Sequence, residues 1–223
     1  MKEQQMILFL GCLGLMASIL VGLGEHYLHY SEHILDQVVD FHFFIYVPKS
    51  HLQIGHMLVL SGLPFYFAGY LHIYYMLRPG NKLLAQVVLG LGFIAFALGG
   101  VWIGSRAFLG SIVQHQDQIE TSAYKSILGD YETHLEVLVY ILRGVIGLVS
   151  IFFSMAILKG NTAYKKWMAI FNPAIILLLW IAVGFSIPAI GRHILPVLMN
   201  ATHLVLFGLS LFQIILYNPS HHD

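Results

Sequence analysis

Six long apolar runs alternate with short polar segments along the 223 residues of the chain. They cover residues 5–24, 51–77, 82–111, 135–158, 166–190 and 193–217. Each is at least the roughly 20 residues that an α-helix needs to cross about 30 Å of hydrocarbon. The runs are continuously apolar instead of alternating at every second position, which favours helices over barrel strands. The pattern therefore predicts an all-α, polytopic transmembrane bundle of about six spans that forms a single domain over residues 1–223.

Composition agrees with lipid as the solvent for this chain. Hydrophobic residues make up 58% of it and charged residues only 10%, which is too little polar surface to cover a soluble globule. The formal net charge is zero, so nothing points to nucleic acid as a partner. Cys12 is the single cysteine, which excludes a disulfide within one chain.

Basic residues predict the orientation in the membrane. Six of them, at short loops and at the N-terminus, fall at one set of run ends: Lys2, Arg78, Lys82, Lys159, Lys165 and Lys166. The positive-inside rule places these ends in the cytoplasm, so both termini are expected to be cytoplasmic. Nine of the eleven acidic residues fall at the opposite ends. His72 is expected at the cytoplasmic membrane interface.

Two features predict local packing. The longer connections, residues 26–50 and 112–134, mix apolar and charged residues, and each is predicted to carry a short interfacial helix. On the third run, small residues recur at the spacing typical of close helix contact: Ala95, Gly99, Gly100 and Gly104.

The densest group of chemically active residues follows the first run. If the helix continues, His26, His29 and His33 share one face with Glu25 close by. Imidazole and carboxylate together suit Zn²⁺ or non-haem iron, and His134 is a further candidate ligand. A wet interfacial helix end and a pH-responsive cluster are the alternatives. A haem held by two histidines is not expected, since no pair of histidines lies at matching depth.

Three polar residues are predicted to lie within the bilayer. Arg143 is about 12 Å inside the fourth run at helical rise, and Asn200 and His203 lie at a similar depth on the sixth. A guanidinium there should face the bundle interior with a partner, as a ligand site or as a structural link between helices. We therefore expect a polar cavity open to the outer side, with a floor of Arg143, Asn200 and His203 and a rim of Glu25, His29, His134 and Glu136.

Two segments resemble sequence boxes of an uncharacterised family of bacterial multi-pass membrane proteins. They are residues 62–74 and 164–173, and the second contains a Trp-x-x-x-Phe-Asn-Pro box from Trp167 to Pro173. The resemblance implies a compact helical bundle in the bacterial inner membrane and supplies no reaction. His29-x-x-x-His33 has the spacing of the HxxxH-type pair in hydrolases similar to alkaline ceramidases and adiponectin receptors, but it lies on the first span instead of near the C-terminus.

These residues support two hypotheses. The first is a metal-dependent membrane hydrolase of a lipid-like substrate, with Glu25 or Glu136 as the general base and Arg143 stabilising negative charge. The second is a transporter, receptor or pH-responsive sensor that binds a small molecule at Arg143, Asn200 and His203. The sequence predicts no oligomeric state.

Overall fold

The computed structural model describes residues 2–30 and 41–216, which form seven α-helices joined by short turns and 3-10 helices. The α-helices are α1 (Lys2–His29), α2 (Lys49–Leu77), α3 (Lys82–Gln114), α4 (Thr121–Leu158), α5 (Pro173–Ser186), α6 (Pro188–Ile194) and α7 (Leu198–Leu216). The described part contains no strand. The predicted all-α fold is confirmed.

Within residues 2–30 and 41–216, five helical segments are long and apolar enough to cross a membrane. They are α1, α2, α3, α4 and the stretch Pro188–Ile215, which consists of α6, a short 3-10 helix and α7. We call the end of the bundle at which α1 ends and α2 begins the outer end, and the opposite one the inner end. The names follow the predicted orientation of the termini, which stays a prediction.

The fifth predicted span is shorter in the structure than in the sequence pattern. Residues Lys166–Ile170 form a 3-10 helix, and α5 has only 14 residues, or about 21 Å at helical rise. Proline explains the boundaries: Pro173 begins α5 and Pro188 begins α6. Because a proline disfavours the helical conformation at the residue before it, Ile187 is non-helical (φ −130°, ψ 86°) and separates the two helices.

Side chains and glycine define the ends of several helices. Asn81 caps α3 by accepting a hydrogen bond from the Leu84 backbone nitrogen at 2.9 Å, and Asn172 caps α5. Glu120 caps α4 through the backbone nitrogens of Ser122 and Ala123. Gly160 follows α4 with a φ of +87°, a conformation that glycine adopts at little cost.

α4 begins well before the predicted span. It has 38 residues, about 57 Å at helical rise, so its first turns extend past the outer end of the bundle. The predicted interfacial helix in residues 112–134 is therefore the start of α4, preceded by a 3-10 turn at Gln116–Gln118. The one in residues 26–50 falls largely on 31–40, outside the described residues.

α1 and α2 form the central hairpin, and glycines allow them to touch. A Cβ atom on Gly14 would lie 2.6 Å from the Gly69 Cα, and one on Gly24 would lie 2.7 Å from the Gly55 carbonyl oxygen. The small-residue stripe predicted on α3 plays this role only in part. No described atom lies within 4 Å of a Cβ placed on Gly99 or Gly104. A Cβ on Gly100, in contrast, would lie 3.2 Å from Leu63 Cδ1 of α2, and Ala95 is buried.

The remaining helices surround this hairpin. α3 packs on α2, α4 on α3, and α7 on α1. α5 contacts both α4 and α7, which closes the bundle. The buried interior lies between α1, α2, α3 and α7, and it contains the polar side chains described next.

Candidate functional site: a buried polar cluster in the outer half of the bundle

A carboxyl group lies in the bundle interior near the outer end of α1. Glu25 is only 4% exposed, as is Asn200 on α7. The Asn200 side-chain nitrogen donates to Glu25 Oε2. The hydroxyl of Tyr66 on α2 donates to the Asn200 side-chain oxygen at 2.5 Å. The Asn200 amide therefore joins three helices: its nitrogen donates to the carboxyl group on α1, and its oxygen accepts from the phenol on α2.

A guanidinium group belongs to the same region. Arg106 on α3 is 9% exposed, and its Nε donates to Nε2 of His29 on α1 at 2.9 Å. His29 lies one turn beyond Glu25 on the same helix, so the two side chains share one face of α1. Arg106 and Glu25 also attract each other electrostatically. The cluster thus combines the buried carboxyl group of Glu25 with the buried guanidinium group of Arg106.

Aromatic rings enclose the Arg106 guanidinium. Its central carbon lies 5.2 Å from the ring centre of Phe41 and 5.5 Å from those of Phe44 and Trp102, within the range of cation–π attraction. Among residues 2–30 and 41–216, its Nη1 atom is buried and has no hydrogen-bond partner. A buried donor of this kind is available to a ligand or a water molecule.

A second pair continues the cluster toward the middle of the bundle. Nδ1 of His203 contacts the Met199 carbonyl oxygen at 2.8 Å, so this nitrogen carries the hydrogen. Its Nε2 then accepts from the Tyr70 hydroxyl, 3.1 Å away. Phe96 packs edge-on against the imidazole at 4.8 Å between ring centres. His203 is thus a neutral, fully paired side chain in this arrangement.

A small cavity lies beside the carboxyl group. Its volume is about 40 Å³, and Glu25, Asn200, Phe96, Trp102 and Leu142 are among its lining residues. A cavity of about 10–15 Å³ is enough for one water molecule when polar partners are present. The cluster can therefore bind water or exchange a proton, but the space is too small for a drug-sized ligand.

A separate polar group occupies the inner half of the bundle. His72 is fully buried in the bundle, and its expected depth at the cytoplasmic membrane interface stays a prediction. Its Nδ1 contacts the Ile7 carbonyl oxygen at 2.8 Å, and its Nε2 contacts Ser210 Oγ at 2.6 Å. The hydroxyl of Tyr164, from the loop before α5, lies 2.5 Å from the same Ser210 oxygen. The buried ring of Phe207 lies between this group and the outer cluster along α7.

Four of the residues singled out in the sequence lie in the outer cluster: Glu25, His29, Asn200 and His203. Their proposed roles stay predictions.

The predicted position of Arg143 in the bundle interior is wrong, because its side chain is exposed on α4 and lies over the Tyr140 ring, 5.8 Å from the ring centre. Leu135, Leu142 and Ile146 form the stripe of α4 that turns inward, and Arg143 lies beside that stripe.

The other predicted residues on α4 are also outside the cluster. Glu136 and His134 are exposed, and Nδ1 of His134 contacts the Asp130 carbonyl oxygen of its own helix at 2.6 Å. The predicted rim therefore reduces to Glu25 and His29 on α1. Turning these α4 side chains inward would require a rotation of the whole helix.

The predicted metal ligands are not gathered at one point by the described residues. His26 stacks on Tyr30 at 4.6 Å and on His193 of α6 at 5.9 Å, at the outer end of the bundle. His29 is paired with Arg106, and His33 lies outside the described residues. Over residues 2–30 and 41–216, no group of three or more His, Cys, Asp and Glu residues could hold a metal ion. The Zn²⁺ or iron site stays a prediction.

Sequence reasoning missed Arg106, Tyr66 and Tyr70. Arg106 is the one charged residue inside the third apolar run, apart from Lys82 at its edge. The rule that selected Arg143, namely that an ionisable residue within a span needs a partner, applies equally to Arg106. The tyrosines give no such signal, because tyrosine is common in membrane helices near the interface.

Comparison with known proteins gives a family but no described relative. No curated protein and no solved structure matches the chain. A family model described as a family of unknown function (DUF6796) matches residues 1–217. This confirms the predicted resemblance to an uncharacterised family. The chain belongs to the DUF6796 family.

Proposed function

We propose that this protein is a proton-coupled membrane protein, of the transporter or sensor class, in which Glu25 takes up and releases a proton within the bilayer. The observation that carries the proposal is the burial of the Glu25 carboxyl beside a small cavity, with Asn200 bonded to it. An ionisable residue inside a transmembrane bundle is costly, and proton relays are among its recurrent uses.

The surrounding groups can accommodate both protonation states. When Glu25 is ionised, the Asn200 amide donates to it and the Arg106 guanidinium provides a nearby opposite charge. When Glu25 is protonated, the carbonyl oxygen of its carboxyl group can still accept the hydrogen bond from the uncharged Asn200 amide. Water in the cavity would deliver the proton, since the cavity exceeds the space that one water molecule requires.

The experiment is a proton-uptake measurement on the purified full chain. After a pH change between about 5 and 8, infrared difference spectra should contain a carboxyl band that Glu25→Gln removes. Glu136→Gln makes the same chemical change at an exposed position on α4 and should retain the band. An unchanged band in Glu25→Gln would refute the proposal.

Transport and sensing are then separated in liposomes. Wild-type protein reconstituted with an entrapped pH dye should carry protons across the bilayer if it is a transporter, and Glu25→Gln should abolish that flux. A sensor would show the Glu25-dependent infrared change without flux. The metal-dependent hydrolase predicted from the sequence is tested by metal analysis, for which about one ion per chain is expected.

A further inference from the structure

A wide groove runs along the lipid-facing surface between α2 and α3, away from the buried cluster. Its volume is about 740 Å³, within the range of small-molecule sites of roughly 300–1,000 Å³. On α2 it follows one helical face, from Lys49 through Leu52 and His56 to Ser61; on α3 its residues include Phe108. Twelve residues of helix correspond to about 18 Å.

The groove has the length and polarity of one membrane leaflet. Half of a hydrocarbon core of about 30 Å is about 15 Å, so the groove is long enough to reach from the headgroup level to the middle of the bilayer. Its deeper walls are mainly apolar, and Met57 and Phe108 project large exposed side chains along them. Such walls suit an acyl chain.

The outer end of the groove is cationic. Lys49, the first residue of α2, lies there, and its Nζ is 3.2 Å from Nε2 of His115 on α3. Nδ1 of His115 contacts the Ser111 carbonyl oxygen at 2.7 Å, so Nε2 is the acceptor and Lys49 keeps two N–H groups for a ligand. The helix N-terminus adds partial positive charge at the same place, since Pro48 provides no side-chain cap.

We infer that this groove binds an anionic phospholipid, with one acyl chain between α2 and α3 and the phosphate group on Lys49. A lipid is favoured over a partner helix because Lys49, with N–H groups directed to no carboxylate among the described residues, lies at the outer end of a mainly apolar groove, which matches a phosphate group above an acyl chain. His56 lies partway along the groove, where its ring packs edge-on against Phe108 at 5.7 Å between ring centres, so the two side chains together form part of the wall for an acyl chain.

The test is lipid retention by the purified full chain in native mass spectrometry. Delipidated protein is incubated with mixed vesicles of phosphatidylglycerol and phosphatidylcholine. Wild type should retain phosphatidylglycerol preferentially, and Lys49→Gln should lower this preference about fivefold, as expected for one lysine near a membrane surface. Lys125→Gln removes the same charge at an exposed position of α4 outside the groove and should leave the preference unchanged.

A second variant tests the acyl-chain part of the groove. Ala107→Phe places a large side chain from the wall into the groove and should reduce the retention of both lipids. Lys49→Gln should reduce only the retention of phosphatidylglycerol. Equal retention of the two lipids by wild type, or an equal loss in Lys49→Gln and Lys125→Gln, would overturn the inference. So would a disulfide-linked dimer of Phe108→Cys in a Cys12→Ser background, because the groove would then be an interface between two copies.

Discussion

The Nε atom of Arg106 on α3 donates a hydrogen bond of 2.9 Å to Nε2 of His29 on α1, and both side chains are buried. An imidazole nitrogen that accepts this bond carries no hydrogen, so His29 cannot be doubly protonated while the contact exists. The pair connects two helices that otherwise have little contact with each other. It therefore acts as a link between the α1–α2 hairpin and the outer half of α3.

Arg106→Lys should destabilise the protein. Lysine cannot offer a planar group to three aromatic rings and a directed Nε–H to His29 at once, so we expect the free energy of unfolding to fall by about 1–3 kcal/mol. Thermal unfolding in detergent, followed by size-exclusion chromatography, measures the change. Arg143→Lys is the matched control, since its exposed position predicts an effect within about 0.5 kcal/mol. Equal melting temperatures for the two variants would contradict the assignment.

Glu25 and Asn200 should be energetically coupled. Asn200→Asp replaces the amide donor by a second carboxyl beside Glu25 and should destabilise the protein strongly. Adding Glu25→Gln restores the hydrogen bond, because the new glutamine amide can donate to the carboxylate at position 200. A carboxylate oxygen at that position still accepts from the Tyr66 hydroxyl. We expect a favourable coupling of about 0.5–3 kcal/mol in a double-mutant cycle.

The control for this cycle combines Asn200→Asp with Glu136→Gln, which removes a distant carboxylate on α4. That combination should be no more stable than Asn200→Asp alone. If it is rescued as well as the Glu25→Gln combination, general charge reduction and not the buried contact explains the effect.

Much of the fold follows from the sequence because each membrane helix must satisfy its own backbone and expose apolar side chains. The length and position of the runs that became α1, α2 and α3 could be predicted on that basis. The effect of Pro173 and Pro188 could not be predicted, since a proline within an apolar run is compatible with a kinked helix as well as with the start of a new helix. In the structure Pro173 begins α5 and Pro188 begins α6.

The site was harder to predict, and the two arginines show why. Arg106 and Arg143 both lie inside apolar runs, and either could have been the buried one. The outcome depends on the rotation of α3 and α4 about their own axes. This rotation is set by packing between helices, to which the apolar pattern of a lipid-embedded helix is nearly insensitive.

Gly69→Ala should force α1 and α2 apart. A Cβ atom at this position would lie 2.5 Å from the Phe207 ring and 2.8 Å from the Gly14 Cα, so a backbone shift is needed, at a cost of about 1–3 kcal/mol. Gly90→Ala on α3 is the contrasting variant, because no atom of residues 2–30 and 41–216 lies within 4 Å of a Cβ added there. It should stabilise the helix by up to about 1 kcal/mol. Thermal unfolding should therefore shift in opposite directions.

Tyr164 should make stability sensitive to alkali. Burial raises the pKa of Tyr164 above its ordinary value, so the unfolded chain ionises first as pH rises. The stability contributed by the neutral phenol is thus fully present below about pH 10 and lost progressively above it. Tyr164→Phe lacks this ionisation. The difference in unfolding free energy between wild type and Tyr164→Phe should shrink above about pH 10, and a constant difference would contradict the explanation.

The glycine contacts between α1 and α2 limit how the protein can change shape. Backbones that touch at Gly14–Gly69 and again at Gly24–Gly55 leave no room for sliding or for side chains to repack between them. If the Glu25 carboxyl is to face the two sides of the membrane in turn, the hairpin must stay rigid and the helices around it must move. Spin labels on α1 and α2 should then keep one fixed separation, while labels on α3 or α7 report the motion.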